Sequence, residues 1–139
     1  MSDAARHQDA GRAYLAENAA KDGVTTRPSG LQYRVLQRGQ GARPQPHDEV
    51  TVHSRGRAIE GAEFDSSYQR GQPATFPVRG VIAGWVEALQ LMREGDRWEL
   101  AIPPELAYGA AGAPPVIGPH QTLLFEVELL KVGGGRAVA

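Results

Sequence analysis

An α+β fold is what the sequence predicts: antiparallel strands around one short helix, with a second helix ahead of them. Three observations carry this reading. Segments of period two at residues 31–36, 49–56, 98–102 and 122–130 read as strands with one buried face. Only two segments, 3–22 and 85–92, have helical character. The strands also follow one another instead of alternating with helices, which favours an antiparallel sheet.

Residues 3–22 are rich in Ala, Glu, Gln, Arg and Lys, with Ser2 as N-cap and Gly23 as the stop. The apolar face of this helix is mostly alanine with Tyr14 and Leu15, so it needs a partner surface. In LQYRVL, Leu31, Tyr33 and Val35 point one way, and a loop follows. In EVTVHSRG, Val50, Val52 and Ser54 share the inner face, which turns His53 outward. Gly61 marks a turn before Glu63 and Phe64, and GQPATFPV is a stretch bounded by Gly and Pro. Trp85, Ala88, Leu89 and Met92 fall at i, i+3, i+4 and i+7, giving a helix that Gly95-Asp96 ends. WELAI alternates again, and TLLFEVELL places Leu123, Phe125, Val127 and Leu129 on one face. The expected organisation is a helix and linker at 1–27, a globular domain at 28–132, and a disordered tail at 133–139.

Glycine and proline are in excess, 17 and 10 of 139 residues, against roughly 12% together in an average protein. Eight of these 27 fall within residues 103–119, in a long loop that also carries Leu106, Tyr108, Val116 and Ile117. A long loop with apolar cargo inside a small domain reads as functional.

Several chemistries are excluded or discounted. A net charge of −1 leaves no electrostatic footprint for nucleic acid or an anionic membrane. The absence of cysteine removes thiol nucleophiles and thiolate zinc sites. His7, His47, His53 and His120 lack metal-ligand spacing, and no G-x-S-x-G elbow surrounds any serine. No metal and no cofactor is expected. The N-terminus lacks the apolar run of a signal sequence, so the expected compartment is the cytoplasm, or the periplasm if a leader has been removed.

FDSS (64–67), VIAGW (81–85), LAYG (106–109) and TLLFEVELL (122–130), in this order and spacing, resemble the FKBP family of peptidyl-prolyl cis-trans isomerases. The resemblance covers about residues 28–132. GRAYLAENAAKDGV, SGLQYRVL and ATFPVRGVIAGWVEALQLM are similar to the bacterial branch that includes the macrophage infectivity potentiator type. It implies a curved antiparallel β-sheet wrapped around one short α-helix, with a pocket between them. Carried over by motif, catalytic roles fall to Asp65, Tyr108 and Ile82, the last through its backbone N–H. Phe64, Phe76, Val81, Trp85, Val116, Ile117, Phe125 and Ser54 would bind substrate, with Trp85 as the floor.

The implied function is rotation about X-Pro bonds, which assists folding, with proline-containing polypeptides as substrates and rapamycin-type macrolides as ligands. The alternative is a binding module with weak turnover. The N-terminal helical region is shorter than in that branch, leaving a monomer or a weak dimer through this helix. The family commonly has tyrosine where this chain has Ser54, so a wider pocket and a looser Asp65 are expected.

Overall fold

The computed structural model describes residues 2–133, and the disordered tail expected from the sequence lies outside them except for Gly133. Helix α1 (Asp3–Ala19) starts where the sequence indicates, with the Ser2 hydroxyl accepting the Ala5 amide at 3.1 Å. It stops three residues before the expected end, and Gly23, at φ +82, belongs to the turn beyond it.

Strands β1 (Val24–Thr26), β2 (Gln32–Gln37), β3 (Glu49–Ala58), β4 (Glu63–Ser66), β5 (Ala74–Pro77), β6 (Arg97–Ile102) and β7 (Leu123–Val132) form one antiparallel sheet. Its order is β1-β2-β6-β7-β3-β4, with β5 paired to β3. The sheet therefore begins at Val24, ahead of the boundary expected at residue 28.

The other helices are α2 (Ser67–Arg70), which the sequence reading lacks, and α3 (Ala83–Leu91). α3 is shorter than its apolar spacing suggests. Met92 is fully buried as expected, but at ψ 160 its backbone has already left the helix.

The predicted inner faces are the buried ones. Leu31, Val50, Val52, Leu100, Ile102, Val127 and Leu129 pack with Trp85, Ala88, Leu89 and Met92 of α3 into one core. At roughly 25 cal/mol per Å² of apolar area removed from water, this shared surface supplies the main driving force for placing α3 against the sheet. Gly84 permits close contact, since a Cβ there would lie 2.6 Å from Ile102 Cγ2. Glu87 adds a polar tie to the segment before β2, accepting from Arg27 Nε at 2.9 Å and Ser29 Oγ at 2.6 Å.

Helix α1 is joined to the sheet by mostly polar contacts. Asn18 donates to Gln32 Oε1 at 2.8 Å, and Gln32 Nε2 donates to the Leu15 carbonyl at 2.9 Å. Gly11, the helix's buried residue, sits where a Cβ would overlap Thr122 Oγ1.

Candidate active site

Three strands and the start of α3 bring four aromatic rings into a line. Phe76 on β5 lies 5.6 Å from Trp85 on α3, centroid to centroid. Trp85 meets Phe125 of β7 edge-on at 5.3 Å, and Phe125 meets Phe64 of β4 edge-on at 5.6 Å. Edge-to-face pairing suits the quadrupoles of these rings. Gly56 on β3 makes room for the last pair, because a Cβ there would lie 2.5 Å from Phe125 Cε1 and 2.7 Å from Phe64 Cζ. Trp85 is buried, while Phe64, Phe76 and Phe125 keep part of their surface open. The Trp85 indole Nε1 is buried and has no hydrogen-bond partner among the described residues.

Val81 and Ile82 precede α3 and pack against the same core. Ile82 is the N-cap, with extended backbone and a carbonyl that accepts from Trp85 and Val86. Among the described residues its own N–H reaches no acceptor. It is a first-turn donor of the kind that helix geometry leaves open.

Asp65 is paired in register with Gly56 and is exposed. Its carboxylate forms a short ion pair with Arg70. Arg70 is a site-edge residue that the sequence reading missed. Its signal was a basic residue five positions after the acid, at the end of a one-turn helix. Ser54 is buried on the inner face as expected. Its amide donates to Ser67 Oγ at 2.8 Å, and its carbonyl accepts from the same hydroxyl at 3.3 Å. No hydrogen bond joins Ser54 to Asp65 among the described residues. His53 faces outward, 2.8 Å from Ser67 Oγ and stacked on Tyr68.

Residues 103–120 form an ordered series of turns. Gly109 N–H donates to the Pro104 carbonyl at 2.9 Å, Gly112 N–H to the Tyr108 carbonyl at 3.0 Å, and His120 N–H to the Gly109 carbonyl at 2.9 Å. Tyr108 is exposed, with 42% of its surface open. Ile117 is buried, but outside the main core cluster.

Val116 is 61% exposed. Ala113 and Ile117 exchange backbone hydrogen bonds at 2.8 and 3.0 Å, which leaves 114–116 as the tip of a tight turn.

A second cleft, of about 550 Å³, lies between α1 and the outer face of the sheet. Lys21, Arg34, Arg55, Glu99 and Glu126 line it beside Tyr14, Tyr33 and Phe125, and its many charges suit a proline ring poorly. The aromatic line is the better candidate.

Comparison with known proteins agrees with this geometry. Residues 40–130 match the FKBP-type peptidyl-prolyl cis-trans isomerase family, and residues 1–35 match the domain amino-terminal to it. The chain is similar to the peptidyl-prolyl cis-trans isomerase Mip of Coxiella burnetii, at 58% identity over 87% of this chain and 53% of that protein. It is 48% identical to the outer membrane protein MIP of Legionella longbeachae over 88% of this chain and 52% of that protein. The crystal structure of FkpA from Escherichia coli superposes with a TM-score of 0.91 at 46% identity, covering 94% of this chain and 61% of that one. The chain thus spans about half the length of the curated relatives it matches. The cytoplasmic expectation finds no support among them. The match across the sheet, α3 and the aromatic line establishes that the chain belongs to the FKBP-type peptidyl-prolyl cis-trans isomerase family.

Proposed function

We propose that this chain accelerates rotation about X-Pro peptide bonds and that the aromatic line is where it does so. The observation that carries the proposal is the Phe76–Trp85–Phe125–Phe64 series beside an open Ile82 N–H, in a chain of this family.

Rotation must break amide resonance, a barrier of about 18–20 kcal/mol. For X-Pro the two isomers differ by only about 0.5–1 kcal/mol, so the rate and not the equilibrium is the obstacle. Water stabilises the planar, charge-separated amide more than the twisted one, and an apolar pocket removes that advantage. Desolvation of one amide contributes roughly 1–3 kcal/mol. A millionfold acceleration requires about 8 kcal/mol, so orientation must supply the rest.

The Ile82 N–H is suited to hold one substrate carbonyl and the Tyr108 hydroxyl another, with the proline ring against Trp85. Phe64, Phe76, Val81 and Phe125 would wall the ring, and Ile117 would support the loop carrying Tyr108. Asp65 would act at the rim as an acceptor and dipole, not as a general base. Proline-containing polypeptides are the substrates on this reading, and rapamycin-type macrolides would compete for the pocket. A compartment outside the cytoplasm is favoured by the relative named as an outer membrane protein. Self-association through α1 would be read from mass in solution with and without residues 1–22.

Ser54 favours a second reading, a proline-binding module with weak turnover. Its short side chain does not reach Asp65, whose one ionic partner among the described residues is Arg70. Exchange spectroscopy of a Leu-Pro peptide separates the two. Acceleration by the unmodified chain supports catalysis. Binding without acceleration, with turnover appearing in Ser54→Tyr, supports the module.

A further inference from the structure

Among the described residues, one hydrogen bond ties the loop that carries Tyr108 to the N-terminal helix. His7 Nδ1 lies 2.8 Å from the Pro119 carbonyl oxygen. Because a carbonyl only accepts, Nδ1 carries the proton and donates. Gly118 admits the ring, since a Cβ there would lie 2.9 Å from His7 Cε1. The next residue after Pro119 is His120, whose N–H donates to the Gly109 carbonyl at 2.9 Å, and Gly109 adjoins Tyr108. Two hydrogen bonds and two chain steps therefore connect α1 to the tyrosine. His120 itself has φ 55, a left-handed conformation uncommon for a residue with a side chain. At the other end of the contact, α1 is held independently by the Gly11–Thr122 approach and the Asn18–Gln32 pair.

We propose that His7 is a positioning residue: its hydrogen bond to Pro119 holds the base of the 103–120 loop and thereby sets where Tyr108 presents its hydroxyl. The inference rests on the isomerase reading for its effect on turnover, but not for its effect on the loop. Since α1 has its other anchors, loss of His7 loosens the loop without releasing the helix.

The test compares His7→Ala and His7→Asn with the unmodified chain, in an unaltered and a Tyr108→Phe background. Amide hydrogen exchange at His120 and kcat/KM for a Leu-Pro peptide are read in each. The expected result for His7→Ala is faster exchange at His120 by about two- to tenfold, the loss of one hydrogen bond. Exchange at Val127 in the core should stay unchanged. A comparable fall in kcat/KM should disappear when Tyr108 is already phenylalanine. Asparagine, which restores a side-chain N–H donor, should recover both readouts. Unchanged His120 exchange in His7→Ala would overturn the clamp, whatever the turnover. Faster exchange with an additive loss in the Tyr108→Phe background would overturn the route through Tyr108. Absence of turnover in the unmodified chain would count against the isomerase reading alone, because the exchange arm decides the clamp separately.

Discussion

Asp65 stands at the rim of the aromatic line with Arg70 as its ion-pair partner, and both side chains are about half exposed. A surface ion pair of this kind contributes about 0–1 kcal/mol, so Arg70 restrains Asp65 weakly. Tyr108 makes no side-chain hydrogen bond among the described residues, which suits its proposed contact with a substrate carbonyl. Tyr108→Phe and Asp65→Leu should each lower kcat/KM by about two- to tenfold, the value of one hydrogen bond or charge contact. Melting temperature should hold. Wild-type rates in both would remove these residues from the proposed mechanism.

On the outer face, burial pushes the Tyr68 phenol above its ordinary value of 10.0, and Glu128, which accepts its hydroxyl, pushes the same way. Glu126 adds to the rise and Arg97 opposes it. The folded state therefore holds this proton more tightly than the unfolded one. The associated stability is intact below pH 10 and declines as pH rises through the folded-state value. Tyr68→Phe should flatten that alkaline decline in a series of urea midpoints.

Elements differ in how far sequence reveals them, and the reason is which interactions hold each one. β3 alternates cleanly because one face meets α3 and the core, and β6 and β7 do so in part, so Val50, Val52, Leu100 and Leu129 are readable from period alone. β1 and β5 are three and four residues long, and their pairing with β2 and β3 is a long-range fact that no local pattern encodes. α2 escapes for the same reason: one turn, capped by Ser66 and closed by Gly71 at φ 72, has no room for a helical period. The aromatic cluster is legible because sparse aromatic residues fall at motif positions. Val116 and Ile117 are neighbours, yet one is exposed and the other buried, because the Ala113–Ile117 bridge makes 114–116 a turn tip, which apolar character alone does not reveal.

α3 also sets two effects of known size against each other at Gly84. Alanine is favoured in a helix by about 1 kcal/mol, but overpacking against the fully buried Ile102 costs about 1–3 kcal/mol. Gly84→Ala should therefore lose about 1 kcal/mol of stability in urea titration. A gain would mean that α3 can shift away from the sheet at little cost.

Across the whole molecule the two faces of the sheet do different work. The inner face and α3 hold the apolar core and the aromatic line, the proposed site of isomerisation. The outer face carries ion pairs, Arg34 with Glu99 at 2.9 Å and Arg97 with Glu126 at 3.1 Å, and receives α1 through side-chain hydrogen bonds. The two tryptophans report on these regions separately. Trp85 lies in the aromatic line, and Trp98 stacks on Tyr33 at 4.2 Å; both indole Nε1 atoms are buried without partners among the described residues. The most direct measurement is exchange spectroscopy on a Leu-Pro peptide with substoichiometric protein, followed by peptide titration with both indole N–H resonances in view. The expected result is cis–trans exchange well above the spontaneous rate, with the Trp85 indole shifting and the Trp98 indole still. Exchange at the spontaneous rate, or a shift at Trp98 in place of Trp85, would contradict catalysis in this pocket.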